Sequence, residues 1–138
     1  MATAVRDLMT PNPTVLPAGT SIADAARAMR DQDIGAVVVE TERGPAIATD
    51  RDIVVRGVAE GADVDSMPIE AVCSREVTSV TPESSVDAAL ALMRQNALRR
   101  LLVLEDGAPV GVLSIGDLTL ERDAADALTS ISRAVPNR

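Results

Sequence analysis

Apolar residues recur at a helical interval twice along this chain. Ile22, Ala25, Ala26 and Met29 stand at i, i+3, i+4 and i+7, and Val86, Ala89, Leu90 and Met93 repeat that spacing. A single stripe of this kind predicts a helix that buries one face. Hydroxyl pairs open both stretches, Thr20-Ser21 and Ser84-Ser85, and can cap the free N–H groups of a first turn. The methionines read as core fillers. A short extended piece, ending near Leu16 or Val80, precedes each helix. After each helix the pattern changes to continuous apolar runs, "AVVVE" and "PAIAT" in one case, "LLVLE" and "PVGVLS" in the other. Runs of this length suit buried strands. Gly44-Pro45 and Asp106-Gly107 supply the turn chemistry between them.

These matched patterns are one unit written twice. "TVLPAGTSIADAARAMRDQDIGAVVV" (14–39) aligns with "TSVTPESSVDAALALMRQNALRRLLV" (78–103) at a shift of 64 residues. Thr14/Thr78, Ser21/Ser85, Met29/Met93 and Val39/Val103 are among the identical pairs. Farther on the shift is 65, because Asp52 meets Asp117. One loop residue is therefore expected to have been inserted between "VVV" and the motif that follows. The segment "EGADVDSMPIEAV" joins the two copies as a short polar linker.

The second strand of each unit runs into Thr/Ser-x-x-Asp: "TDRDIV" begins at Thr49 and "SIGDLT" at Ser114. A helix is expected after each, "DIVVRGVAEG" in the first unit. A longer one runs from Asp117 into "ERDAADALTSISRA" in the second, with Ala124, Leu128, Ile131 and Val135 on one face. Units this small cannot bury their apolar faces alone. The expectation is an α/β (α+β) fold of two tandem strand–helix–strand–strand–helix units, packed about a pseudo-two-fold axis, with two sheets and four main helices sharing a core. The unit boundaries are 5–66 and 67–132.

Composition changes the picture mainly by what is missing. The chain of 138 residues has no His, Phe, Tyr or Trp. The commonest general base and metal ligand is gone, and a purine has no ring to stack on. No Ser–base or Cys–His arrangement is available, so no catalytic residue and no metal site are expected. The single Cys73 cannot form an internal disulfide and reads as a small buried hydrophobe, with an intersubunit disulfide or a reactive thiol as the alternatives. Net charge is −8 and Lys is absent. No nucleic-acid partner is expected, since that needs clustered cations to neutralise phosphate. No apolar run reaches the length of a membrane span, and no secretory signal opens the chain, which points to the cytoplasm.

The doubled unit, with "AIATDRDIV" at one strand–helix junction and "GVLSIGDLT" at the other, resembles the CBS domain pair, or Bateman module. "DIGAVVVE", "TDRDIVVRG" and "RRLLVLEDGAPVGVLSIGDL" carry the resemblance, which runs from about Val5 to Leu128 and is nearest to the stand-alone CBS-pair proteins of actinobacterial type. It implies an adenosyl ligand in the cleft between paired units, of the AMP, ATP, NAD or S-adenosylmethionine class. It also implies ribose contacts for Asp52 and Asp117 and phosphate contacts for Thr49 and Ser114. A carboxylate can accept from two vicinal hydroxyls, which suits the ribose role. Val38 and Leu102 depart from the family pattern, since many nucleotide-binding members carry Pro there.

The same residues have a plainer use, because acids and hydroxyls at a helix start serve as caps without any ligand. Capping alone, however, is not expected to require Thr49 and Ser114 three residues before the acids. Arg51 can reach a phosphate or pair with Asp50, and its counterpart is Gly116. Arg99 and Arg100 precede the second-unit strand where the first unit has Gly35 and Ala36, so one cleft is more basic than the other. The reading that follows is a non-catalytic sensor with no resident cofactor. It binds an adenosyl ligand through Thr49, Arg51, Asp52, Arg99, Arg100, Ser114 and Asp117, and signals through self-association, by default as a homodimer, or through an unknown protein partner. The alternative is a ligand-free stress-response interaction protein with empty clefts.

Overall fold

Both amphipathic stretches form helices of the same length, and their ends explain why. A computed structural model describes residues 3–74 and 78–120. Helix α2 (Ile22–Gln32) begins where Ser21 Oγ accepts the Asp24 N–H at 3.0 Å. Ser85 does the same for the Ala88 N–H of α4 (Val86–Asn96) at 3.1 Å. Both helices stop on a left-handed residue, Asp33 with φ 55° and Ala97 with φ 54°. The next residue folds its N–H back onto a carbonyl of the last turn, Ile34 to Met29 and Leu98 to Met93. These bonds satisfy carbonyls that would otherwise lack partners.

The apolar runs form strands in two sheets. One sheet has the order β2–β3–β4, from Val15–Pro17, Ala36–Thr41 and Gly44–Thr49. The other has the order β1–β7–β6–β5, from Thr10–Pro11, Ala108–Ser114, Arg100–Glu105 and Ser79–Val80. In each, the strand before the helix pairs in parallel with the one after it, and the last two form an antiparallel hairpin. The observed unit is the mixed strand–helix–strand–strand unit read from the sequence.

The hairpin turns differ from each other. Asp106 and Gly107, both left-handed, make the two-residue β6–β7 turn as expected. In the first hairpin Glu42 and Arg43 make the loop, and Gly44-Pro45 instead starts β4. Gly44 is needed there because its φ is +107°. The residue that changes the repeat shift is not in a loop. Val103 pairs with Gly111 and Leu104 with Pro109, so Val110 is the additional residue, accommodated as a β-bulge inside β7.

The segments ahead of each repeat are also duplicated, and each packs on the other repeat. Helix α1 (Val5–Leu8) corresponds to a 3₁₀ turn at Ile69–Val72, in what reads from sequence as linker. The Val5 N–H donates to Ser84 O at 2.8 Å, and the Ile69 N–H donates to Thr20 O at 2.6 Å. Ala4 bridges to Ser85, and Pro68 to Ser21. The chain accordingly divides by packing into 13–77 and 1–12 with 78–138. Among the described residues each unit holds a core of its own. Val5, Val86, Leu90, Met93, Leu101 and Leu113 belong to one, and Ile22, Met29, Val37, Val39, Ile69 and Val72 to the other. Ala26 and Val112, expected in the interior, are half-buried.

After Thr49 comes a single α-turn, α3 (Asp50–Asp52), which widens into a π-helical stretch at Ile53–Val58 rather than a continuous α-helix. The second repeat has a 3₁₀ turn at Asp117–Leu120 in the same place. Ala124, Leu128, Ile131 and Val135 lie outside the described residues.

Candidate functional site

The two Thr/Ser-x-x-Asp motifs stand where the sequence reading expects, at the ends of β4 and β7. Each forms a closed pair of reciprocal hydrogen bonds. The Asp52 N–H donates to Thr49 Oγ1 at 3.1 Å, and the Thr49 N–H donates to Asp52 Oδ2 at 2.9 Å. At the second junction the Asp117 N–H donates to Ser114 Oγ at 3.2 Å, and the Ser114 N–H donates to Asp117 Oδ2 at 2.8 Å. This is a capping box, in which the hydroxyl is the cap and the acid sits three residues on. The three-residue spacing is therefore required by capping itself, contrary to the expectation from sequence.

The boxes leave chemistry unspent. Each carboxylate uses Oδ2 on the backbone, and Oδ1 has no hydrogen-bond partner among the described residues. Each hydroxyl oxygen accepts one N–H, and its own proton is given to no acceptor among the described residues. Thr49, Asp52, Ser114 and Asp117 are all half-buried, so these atoms are held at a set place yet stay within reach of solvent. Each junction thus offers one anionic acceptor and one hydroxyl donor on a rigid turn.

The neighbouring strand holds each junction from the side. The Asp50 N–H donates to Gly35 O at 3.0 Å, and the Ile115 N–H donates to Arg99 O at 2.8 Å. In register, Ala36 lies across from Thr49 and Arg100 across from Ser114. Arg99 and Arg100 are thereby brought beside the second junction, and both are half-buried. Arg51 is exposed. The Asp50 carboxylate accepts the backbone N–H of Arg51 at 2.8 Å, and its guanidinium makes no ion pair among the described residues.

Two matched features were not picked out from sequence. The Val38 N–H donates to Thr14 O at 2.8 Å, and the Leu102 N–H donates to Thr78 O at 3.3 Å. These bonds start the parallel pairing of each sheet, and a proline at either position would remove the donor. The signal was present in the aligned Thr14/Thr78 pair, but a backbone carbonyl leaves no mark on residue type.

Cys73 is buried, with Sγ 3.5 Å from Ile69 O. Burial, with the Asp52 and Glu70 carboxylates adding to it and Arg56 opposing, pushes its thiol up from 9.0 to about 11. No cluster of three or more His, Cys, Asp or Glu side chains among the described residues could hold a metal ion. No described helix is long and apolar enough to cross a membrane.

A doubled strand–helix–strand–strand unit with a capping box at each strand–helix junction defines a tandem-repeat α/β module. The sequence profile described as "CBS domain" matches residues 5–57 and 69–134, and the chain belongs to the CBS domain family. It is 35% identical over 134 residues to the CBS domain-containing protein YhcV of Bacillus subtilis, an alignment covering 94% of this chain and 95% of YhcV. Hypoxic response protein 1 of Mycobacterium tuberculosis, of the actinobacterial type that the motifs resemble, is 29% identical over 118 residues, 84% of this chain and 82% of the relative. Among solved structures, Hypoxic Response Protein I with two coordinated zinc ions superposes with a TM-score of 0.75 at 27% identity, covering 86% of this chain and 98% of that one. The CBS domain protein PAE2072 from Pyrobaculum aerophilum, complexed with AMP, superposes with a TM-score of 0.77 at 26% identity, covering 93% of this chain and 99% of that one.

Proposed function

We propose that this protein is a cytoplasmic, non-catalytic regulatory sensor. It binds an adenosyl ligand of the AMP, ATP, NAD or S-adenosylmethionine class in the cleft between its CBS units, 5–66 and 67–132, using the Thr49–Asp52 and Ser114–Asp117 junctions. Occupancy shifts the packing of the units, and the signal passes on through self-association as a homodimer or through a partner protein. The observation that carries this reading is the unspent chemistry of the capping boxes. Asp52 and Asp117 each keep Oδ1 for ribose hydroxyls, and Thr49 and Ser114 each keep a proton for phosphate. AMP in the similar PAE2072 supports the ligand class. Without His, and with the Cys73 thiol pushed up to about 11, the chain lacks the usual nucleophile–base chemistry.

Calorimetry with AMP, ADP, ATP, NAD and S-adenosylmethionine tests the reading. Asp52→Asn or Asp117→Asn keeps an oxygen for the cap but replaces the free acceptor with a donor. Either variant is expected to stay folded and to weaken the ligand by about 1.5–3 kcal/mol, the range for hydrogen bonds to charged groups. Unchanged affinity in both, or no binding at millimolar concentration by the parent protein, sinks the proposal.

A second reading, a ligand-free interaction protein, has its own observation. Val54 and Val58 on the π-helical stretch are 58% and 59% exposed, beside the 43% exposed Val55. Such a stripe suits contact with another protein surface. Failure of every adenosyl ligand in the titration would favour it.

A further inference from the structure

Matched positions in the two repeats carry sulfur. At the shift of 64 residues Met9 corresponds to Cys73, and each directly follows a short helical segment, α1 or the Ile69–Val72 turn. The strand positions match too, since Gly111 pairs with Val103 as Ala46 pairs with Val39. Met9 Sδ lies 2.5 Å from where a Cβ on Gly111 would stand, so the thioether fills the space of the missing side chain. The first repeat divides that space differently. Ala46 has a Cβ there, and the shorter Cys73 belongs to the same core.

The two sulfurs differ in reactivity. Cys73 is buried and its thiol is pushed up to about 11, so little thiolate meets an oxidant near neutral pH. A thioether needs no deprotonation, and its oxidation follows exposure. Met9 is half-buried, whereas Met29 and Met93 are 6% and 0% exposed. Met67 is also half-buried, but it packs against the core of 13–77. Met9 further bears on how residues 3–12 are held. It joins α1 to β1, an edge strand of two residues, one of them Pro11, which has no N–H. Beyond the β1–β7 pairing, Val5, Arg6 and Asn12 donate to Ser84 O, Pro82 O and Val110 O at 2.8, 3.0 and 3.3 Å, and Val86 donates to Thr3 O at 3.0 Å. Packing of Val5, Leu8 and Met9 on the core supplies the rest of the hold.

We propose that Met9 is a site of reversible oxidation by peroxide, and that its sulfoxide releases residues 3–12 from β7. A lone pair on Sδ attacks one oxygen of hydrogen peroxide, an S–O bond forms and the O–O bond breaks. Sulfur loses two electrons to the peroxide. The proton of the transferred hydroxyl ends on the departing oxygen, which leaves as water. The added oxygen has no space on the β7 side, where Sδ already occupies the place of a Gly111 side chain. Turned toward water instead, it draws the side chain off Gly111, because a sulfoxide is polar where the thioether is not. Either way β1 loses the packing that seats it. The inference is independent of any ligand at the strand–helix junctions.

The test treats the folded protein with hydrogen peroxide and reads each methionine by mass spectrometry of a tryptic digest, in which cleavage after Arg6 separates Met1 from Met9. Met9 is expected to oxidise at least about tenfold faster than Met29 and Met93. Hydrogen exchange of the treated protein should then quicken at least about tenfold at the Val5, Arg6 and Asn12 amides. Reduction by the two methionine sulfoxide reductases, one for each epimer, should restore the protection. Treated Met9→Leu should keep it, which separates Met9 from Met67 and Cys73. Met9→Gln, with a polar amide in place of the thioether, should show the faster exchange without peroxide. Should untreated Met9→Leu not match the parent's protection, the reductases and Met9→Gln decide. Oxidation of Met9 no faster than that of Met93 overturns the proposal. So does a Met9 sulfoxide that leaves the three amides as protected as before, an equal loss in treated Met9→Leu, or parent-like protection in Met9→Gln.

Discussion

Asp52 spends one carboxylate oxygen on its own helix and keeps the other. The same holds for Asp117. Capping and ligand binding are thus not rival uses of these residues, because the cap is what holds the free oxygen still. Residue type and spacing made the pair visible in the sequence. That the spacing is itself the capping box does not follow from treating acid and hydroxyl as separate caps, because the hydroxyl is the cap and the acid answers it. Cys73 shows a second residue-scale consequence. Its folded pKa lies above its ordinary value, so the unfolded chain gives up the thiol proton first as pH rises. The stabilisation is complete below about pH 9 and is lost progressively as pH rises toward about 11. Denaturant midpoints across that interval should fall for the parent and fall less for Cys73→Ala. At pH 7.5, disulfide-exchange reagents should label the native thiol far more slowly than the unfolded one, because the thiolate is scarce and shielded. Comparable labelling rates would contradict the buried, protonated thiol.

Elements were legible wherever periodicity was strong. Helices α2 and α4 and the four hairpin strands follow from stripes and runs that no competing pattern disturbs. Elements set by a single residue were not. Val110 changes the repeat shift, and nothing in its type distinguishes a loop insertion from a bulge. Gly111, beside it, is required by a neighbour that is remote in sequence. A Cβ there would lie 2.5 Å from Met9 Sδ and 3.0 Å from the Thr10 carbonyl oxygen. The methionine can swing aside, but the carbonyl belongs to β1, which pairs with β7 at Thr10–Val112 and Pro11–Gly111. Gly111→Ala should therefore detach β1 and cost about 1–3 kcal/mol, the range for overpacking. Chemical denaturation measures the loss, and Gly111→Ala/Met9→Ala should recover only part of it. Ala46, at the corresponding place in the first repeat, is buried, so the repeat gave no warning that β7 needs a glycine.

At the scale of the whole molecule, each repeat is completed by the segment that precedes the other. Val5 is fully buried in the core with Val86, Leu90 and Leu113, and Ile69 in the core with Ile22 and Val37. Arg6 adds surface ion pairs to Glu83 at 2.6 Å and Glu105 at 3.6 Å, which contribute little next to that burial. Val5→Ala should cost about 1–3 kcal/mol. Hydrogen exchange should show the loss of protection mainly in 78–120, and Ile69→Ala should produce it mainly in 13–74. Equal losses in both units from either variant would contradict the exchange of segments. The sequence by itself determined the duplication, the helices, the strands and the two capped acids, because each is written in local periodicity or in residue type at short spacing. Only the tertiary structure decided that α1 and the Ile69 turn change places, that Val110 bulges, and that Arg99 and Arg100 are half-buried beside Ser114. Those outcomes depend on which surfaces meet across many residues of chain, and a short apolar segment such as "VRDL" carries no mark of the core it will join.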